Sequence, residues 1–200
     1  MVKIIYLISP KKIYKNFFSD LSKVLKTRKV KYFQLRLKNV RNHIILSHLR
    51  KIKKITKKNK VKLIINDNPK IAKIMNLDGC HLGQSDMKLK KARELLKLKI
   101  IGKTCHNSLN LVKKAVNEKA DYIALGSFFN SKLKPKAKKI NINNLKIIRK
   151  RTSIPIVAIG GIDNTNYKML LRLGVNYIAI SSFIWNNPDL KPEIAIKKFK

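Results

Sequence analysis

The stretch Ala120-Asp121-Tyr122-Ile123-Ala124-Leu125-Gly126 follows a plan that recurs twice elsewhere in the chain. Leu77-Asp78-Gly79-Cys80-His81-Leu82-Gly83 and Val175-Asn176-Tyr177-Ile178-Ala179-Ile180-Ser181 repeat it. Each copy follows a segment of helical periodicity, opens on Asp or Asn, continues as a short apolar strand and ends at a small residue. This recurrence indicates a fold built from one repeated supersecondary unit. Because Asp78 and Asp121 start their strands, we interpret them as structural turn residues rather than catalytic ones.

Short apolar strands alternate with longer amphipathic segments along the whole chain. Eight strands are predicted, at residues 3–8, 32–37, 62–66, 79–82, 100–103, 122–125, 155–159 and 177–180. Helical segments are predicted at residues 14–27, 41–58, 69–75, 88–97, 108–118, 143–151, 165–173 and 190–199. This alternation is typical of a parallel sheet built from βαβ units. Eight units of about 25 residues each predict an α/β fold, a single compact (β/α)8 TIM barrel that forms one domain over residues 1–200.

An open doubly wound sheet is the structural alternative to a closed barrel. Such sheets usually have fewer strands and a glycine-rich turn after the first strand, where a dinucleotide binds. The corresponding turn here, Ser9-Pro10-Lys11-Lys12, contains no glycine. The sequence therefore favours the barrel.

The chain is strongly basic, with 39 Lys and 8 Arg against 10 acidic residues and a formal net charge of +37. Nucleic-acid-binding proteins tend to use Arg and to collect charge in one patch, whereas Lys is spread over this whole chain. We interpret most of this charge as solvated surface and do not expect nucleic acid as a partner. No apolar run approaches the roughly 20 residues that span a bilayer, and two Cys are too few for a disulfide framework. We expect a cytoplasmic protein without a membrane partner.

In a (β/α)8 barrel, function lies at the C-terminal ends of the strands, so these ends identify candidate residues. After the second strand, alternation places Gln34, Arg36 and Lys38 on one side, which suits an anion site; a frayed, exposed strand end is the alternative. Asn66-Asp67 follow the third strand, and Gly83-Gln84-Ser85-Asp86 follow the fourth. The two carboxylates suit a hard divalent cation such as Mg²⁺, held jointly with phosphates and water; helix N-caps are the alternative.

The remaining strand ends add a hydroxyl, a lysine-rich loop and a candidate phosphate site. Thr104 ends the fifth strand, and residues 127–141 form a segment that is long for a barrel loop, which favours a lid or substrate loop. Gly160-Gly161 and Ser181-Ser182 follow the last two strands and match a phosphate site formed by backbone N–H groups, with a capped turn as the alternative. This set favours chemistry in which a metal ion and cations stabilise a phosphorylated substrate.

Two cysteines are each followed by a histidine, at Cys80-His81 and Cys105-His106. Adjacent residues of a strand point to opposite faces, so neither pair suits one metal ion. The C-x2-C spacing of many zinc sites is also absent from the sequence. We therefore do not predict zinc, and we interpret His106 as a core or supporting histidine rather than a proton shuttle.

Motifs along the whole chain resemble those of the thiamine phosphate synthase family. The motifs are Tyr6-Leu7-Ile8, Gln34-Leu35-Arg36-Leu37-Lys38, Ile65-Asn66-Asp67, His81-Leu82-Gly83-Gln84-Ser85-Asp86, Ile101-Gly102-Lys103-Thr104-Cys105-His106, the stretch 120–127 and Val157-Ala158-Ile159-Gly160-Gly161-Ile162. The resemblance implies a Mg²⁺-dependent transferase. It would couple 4-amino-2-methyl-5-hydroxymethylpyrimidine diphosphate to a thiazole phosphate, or its carboxylated form, and release pyrophosphate.

The resemblance also implies roles for individual residues. Those implied to bind the pyrimidine diphosphate are Gln34, Arg36, Lys38, Asn66, Thr104 and Lys134. Asp67 and Asp86 would hold Mg²⁺. Those implied to bind the thiazole phosphate are Ser131, Gly161, Ser181 and Ser182. Lys38, Thr104 and Lys134 are the expected catalytic residues. The implied mechanism is dissociative: pyrophosphate leaves first, and the thiazole nitrogen then attacks the pyrimidine methylene cation.

The chain departs from the family pattern in the loop after the sixth strand. The family commonly has Pro-Thr-x-Thr-Lys, whereas this chain has Asn130-Ser131-Lys132-Leu133-Lys134, in which Leu133 lacks a hydroxyl. A related thiazole tautomerase is the first alternative function, but the full set of pyrophosphate-binding residues favours the synthase. A basic nucleic-acid-binding protein is the second. The expected partners are small phosphorylated substrates, and the oligomeric state stays open, a homo-oligomer included.

Overall fold

A computed structural model describes residues 3–129 and 142–200, and in these residues eight parallel strands close into a barrel in chain order. The strands are β1 (Ile5–Ile8), β2 (Val30–Leu35), β3 (Lys62–Asn66), β4 (Gly79–Leu82), β5 (Ile100–His106), β6 (Tyr122–Gly126), β7 (Ile156–Ile159) and β8 (Tyr177–Ile180). The helices are α1 (Phe17–Lys26), α2 (Asn42–Lys58), α3 (Pro69–Ile74), α4 (Leu89–Leu96), α5 (Leu109–Asn117), α6 (Ile142–Arg151), α7 (Tyr167–Arg172), α8 (Ser182–Trp185) and α9 (Pro192–Ala195), followed by a 3-10 turn at Ile196–Lys198. The predicted (β/α)8 barrel is confirmed.

Strand alternation sorts the apolar residues into two cores. Ile123 and Leu125 of β6 point outward into the layer between strands and helices, whereas Tyr122 and Ala124 point into the barrel. The barrel closes because β1 pairs with β2 on one side and with β8 on the other. The interior is thus a packed core, and the room for a ligand lies at the strand ends.

The repeated Asp or Asn has a structural role in all three copies of the sequence unit. Its side-chain oxygen accepts a hydrogen bond from a backbone N–H near the start of the preceding strand, at distances of 2.9, 2.7 and 2.9 Å. The pairs are Asp78 with Leu63, Asp121 with Ile101, and Asn176 with Ile156. These bonds join the starts of neighbouring strands, so the interpretation of Asp78 and Asp121 as structural residues is confirmed.

Some predicted boundaries and one residue placement were wrong. β2 ends at Leu35 rather than at residue 37, and beyond it the Arg36 N–H donates to Ser9 Oγ at 3.0 Å. The predicted helix 190–199 contains only α9 and the 3-10 turn, and the short α8 directly after β8 was not predicted. His106 ends β5 with an exposed side chain, so it is not a core histidine, and a supporting role stays a prediction. None of the helices in the described ranges is both long enough and apolar enough to cross a membrane.

Candidate active site

Polar residues of β2 and the loop after it lie at the C-terminal end of the barrel. Gln34 is buried, with 2% of its surface exposed, and lies within hydrogen-bonding reach of Tyr6. Arg36 is half-buried and Lys38 is exposed, and both follow the last residue of β2. Their positive charges are close enough to Asp67 to favour its ionised form. The cations predicted to bind an anion therefore lie beside the carboxylate predicted to bind a metal.

Asp67 and Asp86 lie together at the ends of β3 and β4, with their carboxyl groups within hydrogen-bonding distance. The Asp67 N–H donates to the His81 carbonyl oxygen at 2.8 Å, and Asp86 Oδ2 accepts from the Gly83 N–H at 2.6 Å. Burial, together with the hydrogen bond and the charge of Asp86, raises the pKa of Asp67 to about 6, against the opposing effect of Lys38 and Arg36. Backbone contacts thus hold the two acidic groups together, in an arrangement that favours the protonated form of Asp67.

This pair fits a divalent cation in its donor chemistry. Two carboxylates brought together repel each other, and a bound cation removes that cost. Over residues 3–129 and 142–200, no group of three or more His, Cys, Asp or Glu side chains could hold a metal. The two aspartates would therefore act with the phosphates and water that Mg²⁺ commonly keeps as ligands.

A hydrogen-bonded network runs through the barrel beneath these residues. His81 Nε2 lies 2.8 Å from Thr104 Oγ1, and His81 Nδ1 lies 3.0 Å from the Tyr122 hydroxyl. The Tyr122 hydroxyl is in turn 2.7 Å from the Tyr6 hydroxyl, which also contacts Gln34. We name Gln34, Tyr6, Tyr122, His81 and Thr104 the interior network. It links two residues implied to bind the pyrimidine, Gln34 and Thr104, from different strands.

The His81 ring within this network is neutral at neutral pH. Burial lowers its pKa to about 4, and Lys103 and Arg36 act in the same direction, although Asp86 opposes them. The ring stacks on Tyr122, with 5.6 Å between centroids and 17° between planes. Tyr122 in turn packs against Gly102, where any Cβ would overlap the tyrosine ring. The glycine at this position of β5 thus makes room for the network.

Gly161, Ser181 and Ser182, which are predicted to hold the thiazole phosphate, lie just beyond the ends of β7 and β8. Gly160 and Gly161 have φ values of +107° and +61°, in the left-handed region that glycine adopts without strain. Ser181 precedes α8, and its Oγ donates to the Ser9 carbonyl oxygen at 3.0 Å. Ser182 begins α8 and is exposed. These residues occupy the predicted strand ends, but the Ser181 side chain is already hydrogen-bonded to the residue that follows β1.

Of three further predicted residues, the structure describes one. Asn66 is the last residue of β3, is half-buried and pairs with His81 in the β3–β4 ladder, so it lies next to the aspartate pair. Ser131 and Lys134 lie outside the described residues. Their roles therefore stay predictions from the sequence.

Several residues around the site were missed by the sequence reasoning. Lys11 and Lys12 line a cavity of about 430 Å³ together with Arg36, Lys38 and their neighbours. Both lysines lie in the turn after β1, so the strand-end rule could have found them. No role in the site was predicted for His81. Its position two residues after Gly79 on β4 gives it the inward orientation that alternation predicts.

The raised pKa of Asp67 gives a pH-dependent stability in the absence of divalent metal. The folded protein holds this proton more tightly than the unfolded chain, so the stabilising effect is fully present below pH 3.8 and is lost as the pH rises through about 6. We compare the midpoint temperature of unfolding, Tm, of the wild type with that of Asp67→Asn in a chelator. We expect the wild-type Tm to decrease relative to that of the variant as the pH is raised from about 4 to about 7. Added Mg²⁺ should raise the Tm of the wild type again at pH 7. If the Tm of both proteins changed with pH in the same way, the pairing of the two carboxyl groups would be contradicted.

Comparison with known proteins identifies the family of the chain. The family model described as thiamine monophosphate synthase matches residues 5–184. The thiamine-phosphate synthase of Pelagibacter ubique is 55% identical over 199 residues, covering 99% of this chain and 96% of that protein. The one from Fusobacterium nucleatum is 38% identical over 193 residues, covering 95% and 93%.

A solved structure agrees with these sequence matches. The thiamine phosphate pyrophosphorylase from Pyrococcus furiosus superposes with a TM-score of 0.87 at 26% identity, covering 98% of this chain and 93% of that one. The resemblance inferred from the sequence motifs is confirmed. The chain belongs to the thiamine monophosphate synthase family.

Proposed function

We propose that this chain couples 4-amino-2-methyl-5-hydroxymethylpyrimidine diphosphate to a thiazole phosphate, forming thiamine phosphate and releasing pyrophosphate. The observation that carries the proposal is the contact between the Asp67 and Asp86 carboxyl groups, with Arg36 and Lys38 beside them at the barrel mouth. A diphosphate with a bound divalent cation matches both the acidic pair and the basic side chains. The cation neutralises the aspartate pair, and the basic side chains neutralise the remaining phosphate charge.

The proposed diphosphate site combines polar and charged side chains from the ends of β2, β3 and β4 and from the loop after β6. Arg36 and Lys38 would bind the phosphate oxygens from the loop after β2, and Asn66 would donate from the end of β3. Lys134 would close over the pyrophosphate from the loop after β6. Asp67 and Asp86 would hold Mg²⁺, which supplies charge neutralisation to the leaving group when it is bound.

The proposed reaction needs stabilisation of a leaving group more than it needs a base. As the bond to pyrophosphate breaks, negative charge grows on the departing oxygens, and Arg36, Lys38 and Lys134 are the side chains proposed to stabilise it. The positive charge left on the pyrimidine methylene group is spread over the aromatic ring, where Gln34 and Thr104 are proposed to hold the ring edges. The thiazole nitrogen attacks through its own lone pair, so no proton has to be removed from it.

The proposed second substrate binds at the ends of β7 and β8. Gly161, Ser181 and Ser182 would hold its phosphate largely through backbone N–H groups, and Ser131 would contact it from the loop after β6. Leu133 replaces a second loop hydroxyl, so we propose that one polar contact to the thiazole differs from the family pattern. We further propose that the protein acts in the cytoplasm as one domain on these small substrates, without nucleic acid.

An assay of product formation tests the proposed function directly. Purified protein is incubated with the pyrimidine diphosphate, Mg²⁺ and either the plain or the carboxylated thiazole phosphate, and thiamine phosphate and pyrophosphate are quantified. We expect equal amounts of both products, and no activity in a chelator. Isomerisation of the carboxylated thiazole phosphate without coupling would instead identify a tautomerase. Absence of thiamine phosphate with both thiazole forms would overturn the proposal.

A further inference from the structure

A half-buried lysine of β5 contacts the loop that carries Asp86. Lys103 pairs with Leu82 in the β4–β5 ladder, so it lies beside the end of β4. Its Nζ donates a hydrogen bond of 2.5 Å to the carbonyl oxygen of Gly83, the first residue after that strand. Hydrogen bonds from a charged donor are stronger than those from a neutral one. Lys103 therefore fixes the start of the loop formed by residues 83–86.

A second contact joins the 83–86 loop to β5 at the next residue. The side-chain amide of Gln84 donates to the backbone carbonyl oxygen of Thr104, which follows Lys103 in the strand. Adjacent residues of β5 thus hold adjacent residues of the loop. We name these two hydrogen bonds the β5 tethers. Together they restrict the loop more than either bond would alone.

The Asp86 carboxylate lies against the part of the loop that Lys103 holds. Asp86 Oδ2 accepts from the Gly83 N–H at 2.6 Å, and a Cβ added at Gly83 would lie 2.9 Å from the same oxygen. The carboxylate is therefore in direct contact with the residue whose carbonyl oxygen accepts from Lys103. A displacement of Gly83 would move this carboxylate and change its separation from Asp67.

The charge of Lys103 acts against cation binding at the same place. Burial lowers the pKa of Lys103, and the nearby Asp86 carboxylate opposes that shift. The positive charge is thus close enough to Asp86 to repel a divalent cation that approaches it. The contact made by Lys103 and the charge that it carries therefore have opposite effects on cation affinity, and a measurement of that affinity separates them.

We propose that Lys103 and Gln84 are positioning residues, which hold the 83–86 loop on β5 so that the Asp86 carboxylate can bind a divalent cation jointly with Asp67. This positioning role rests on the proposed function, which gives the two aspartates a Mg²⁺ ion to hold. The β5 tethers act by fixing the separation of the two carboxyl groups before the cation binds. Ligands that are already in place bind more tightly, because less freedom is lost on binding.

The test measures binding of Mn²⁺, which takes the same oxygen ligands as Mg²⁺, to the whole protein without substrates. Bound Mn²⁺ is quantified from the loss of the electron paramagnetic resonance signal of the free ion. We expect Gln84→Met and Lys103→Met each to raise the Kd about 5-fold, because each removes one tether. In Lys103→Met the loss of a stronger bond is partly offset by the loss of repulsion. Lys103→Arg keeps a charged donor and should stay within about 2-fold of the wild type.

Lys114→Met is the matched control for the loss of a lysine. Lys114 is exposed on α5, and its charge interacts with that of Lys103. The same substitution there removes one positive charge from the neighbourhood and leaves both tethers in place. We expect its Kd for Mn²⁺ to stay within about 2-fold of the wild type. Thermal unfolding monitors folding, and if one tether variant does not fold, the other decides.

Four results would overturn the inference. A lower Kd in Lys103→Met would mean that its charge outweighs its contact, and an unchanged Kd in the tether variants with a lower Tm would mean that the tethers only stabilise the fold. An equal rise in Lys114→Met would mean that the effect is not specific to the tethers. A wild-type Kd in Asp86→Asn would mean that Mn²⁺ binds elsewhere.

Failure of the proposed function is a separate result, because it is judged from thiamine phosphate formation. A wild type that makes no thiamine phosphate, but binds Mn²⁺ through Asp86 and the β5 tethers, refutes the function and supports the positioning role. A wild type that makes thiamine phosphate, but whose Kd for Mn²⁺ does not depend on the tethers, refutes only the positioning role.

Discussion

Replacement of Asp67 or Asp86 by asparagine is expected to lower kcat for thiamine phosphate formation by roughly 100-fold or more. Asparagine has nearly the same shape as aspartate, and its amide oxygen can still accept the 2.6 Å hydrogen bond that the Gly83 N–H donates to Asp86. The main loss is one negative charge from the pair that is proposed to hold Mg²⁺. The Mg²⁺ concentration needed for half-maximal rate should therefore rise in both variants, and steady-state rates across a Mg²⁺ titration measure this.

Asp189→Asn provides the control for the loss of one carboxylate. Asp189 is an exposed acidic residue in the loop between α8 and α9. Its substitution changes the net charge equally, and it should leave both kcat and the Mg²⁺ dependence near the wild-type values. Wild-type Mg²⁺ titrations in Asp67→Asn and Asp86→Asn would remove the metal role from this pair.

Lys134→Ala is expected to lower kcat by roughly 100-fold, with a smaller change in the binding of the pyrimidine diphosphate. The resemblance to the family implies that this lysine closes over the pyrophosphate. Its ammonium group would then interact most strongly with the departing oxygens, where charge increases as the bond breaks. Single-turnover rates measured at saturating substrate, alongside binding by calorimetry, separate the two effects.

Lys132→Ala is the matched control in the same loop. It removes one positive charge two residues away, and the sequence reasoning interprets Lys132 as a solvated lysine. We expect its single-turnover rate to stay within about 3-fold of the wild type. Equal losses in the two variants would mean that the loop acts through its overall charge and that Lys134 has no specific role.

Much of the fold could be predicted from the sequence because the barrel repeats a local pattern. The three copies of the Asp/Asn unit each join a helix to a strand, and alternation within Tyr122-Ile123-Ala124-Leu125 already separates the inner core from the outer one. The errors lie where tertiary contacts decide an element's end. Ser9, distant in sequence from β2, provides the acceptor for the Arg36 N–H just beyond that strand.

The charged residues of the candidate site could be predicted from the sequence more readily than the residues that support them. Asp67 and Asp86 could be selected because they are acidic residues at neighbouring strand ends, and a closed barrel brings such ends together. His81 could not be selected in the same way. Its role depends on Tyr6, Tyr122 and Thr104, which come from three other strands and have no common spacing in the chain.

The sequence by itself determined the alternation of strands and helices, the family motifs and the polar residues at strand ends, since these depend on local periodicity and on residue order. Only the tertiary structure decided which hydroxyl meets which ring nitrogen inside the barrel, and that the Asp67 and Asp86 carboxyl groups come within hydrogen-bonding distance. The physical reason is that a hydrogen bond or a carboxyl pair forms only when its atoms are placed to within roughly a few tenths of an ångström. Barrel closure and the packing of Tyr122 against Gly102 set these separations, and both are contacts between residues distant in sequence.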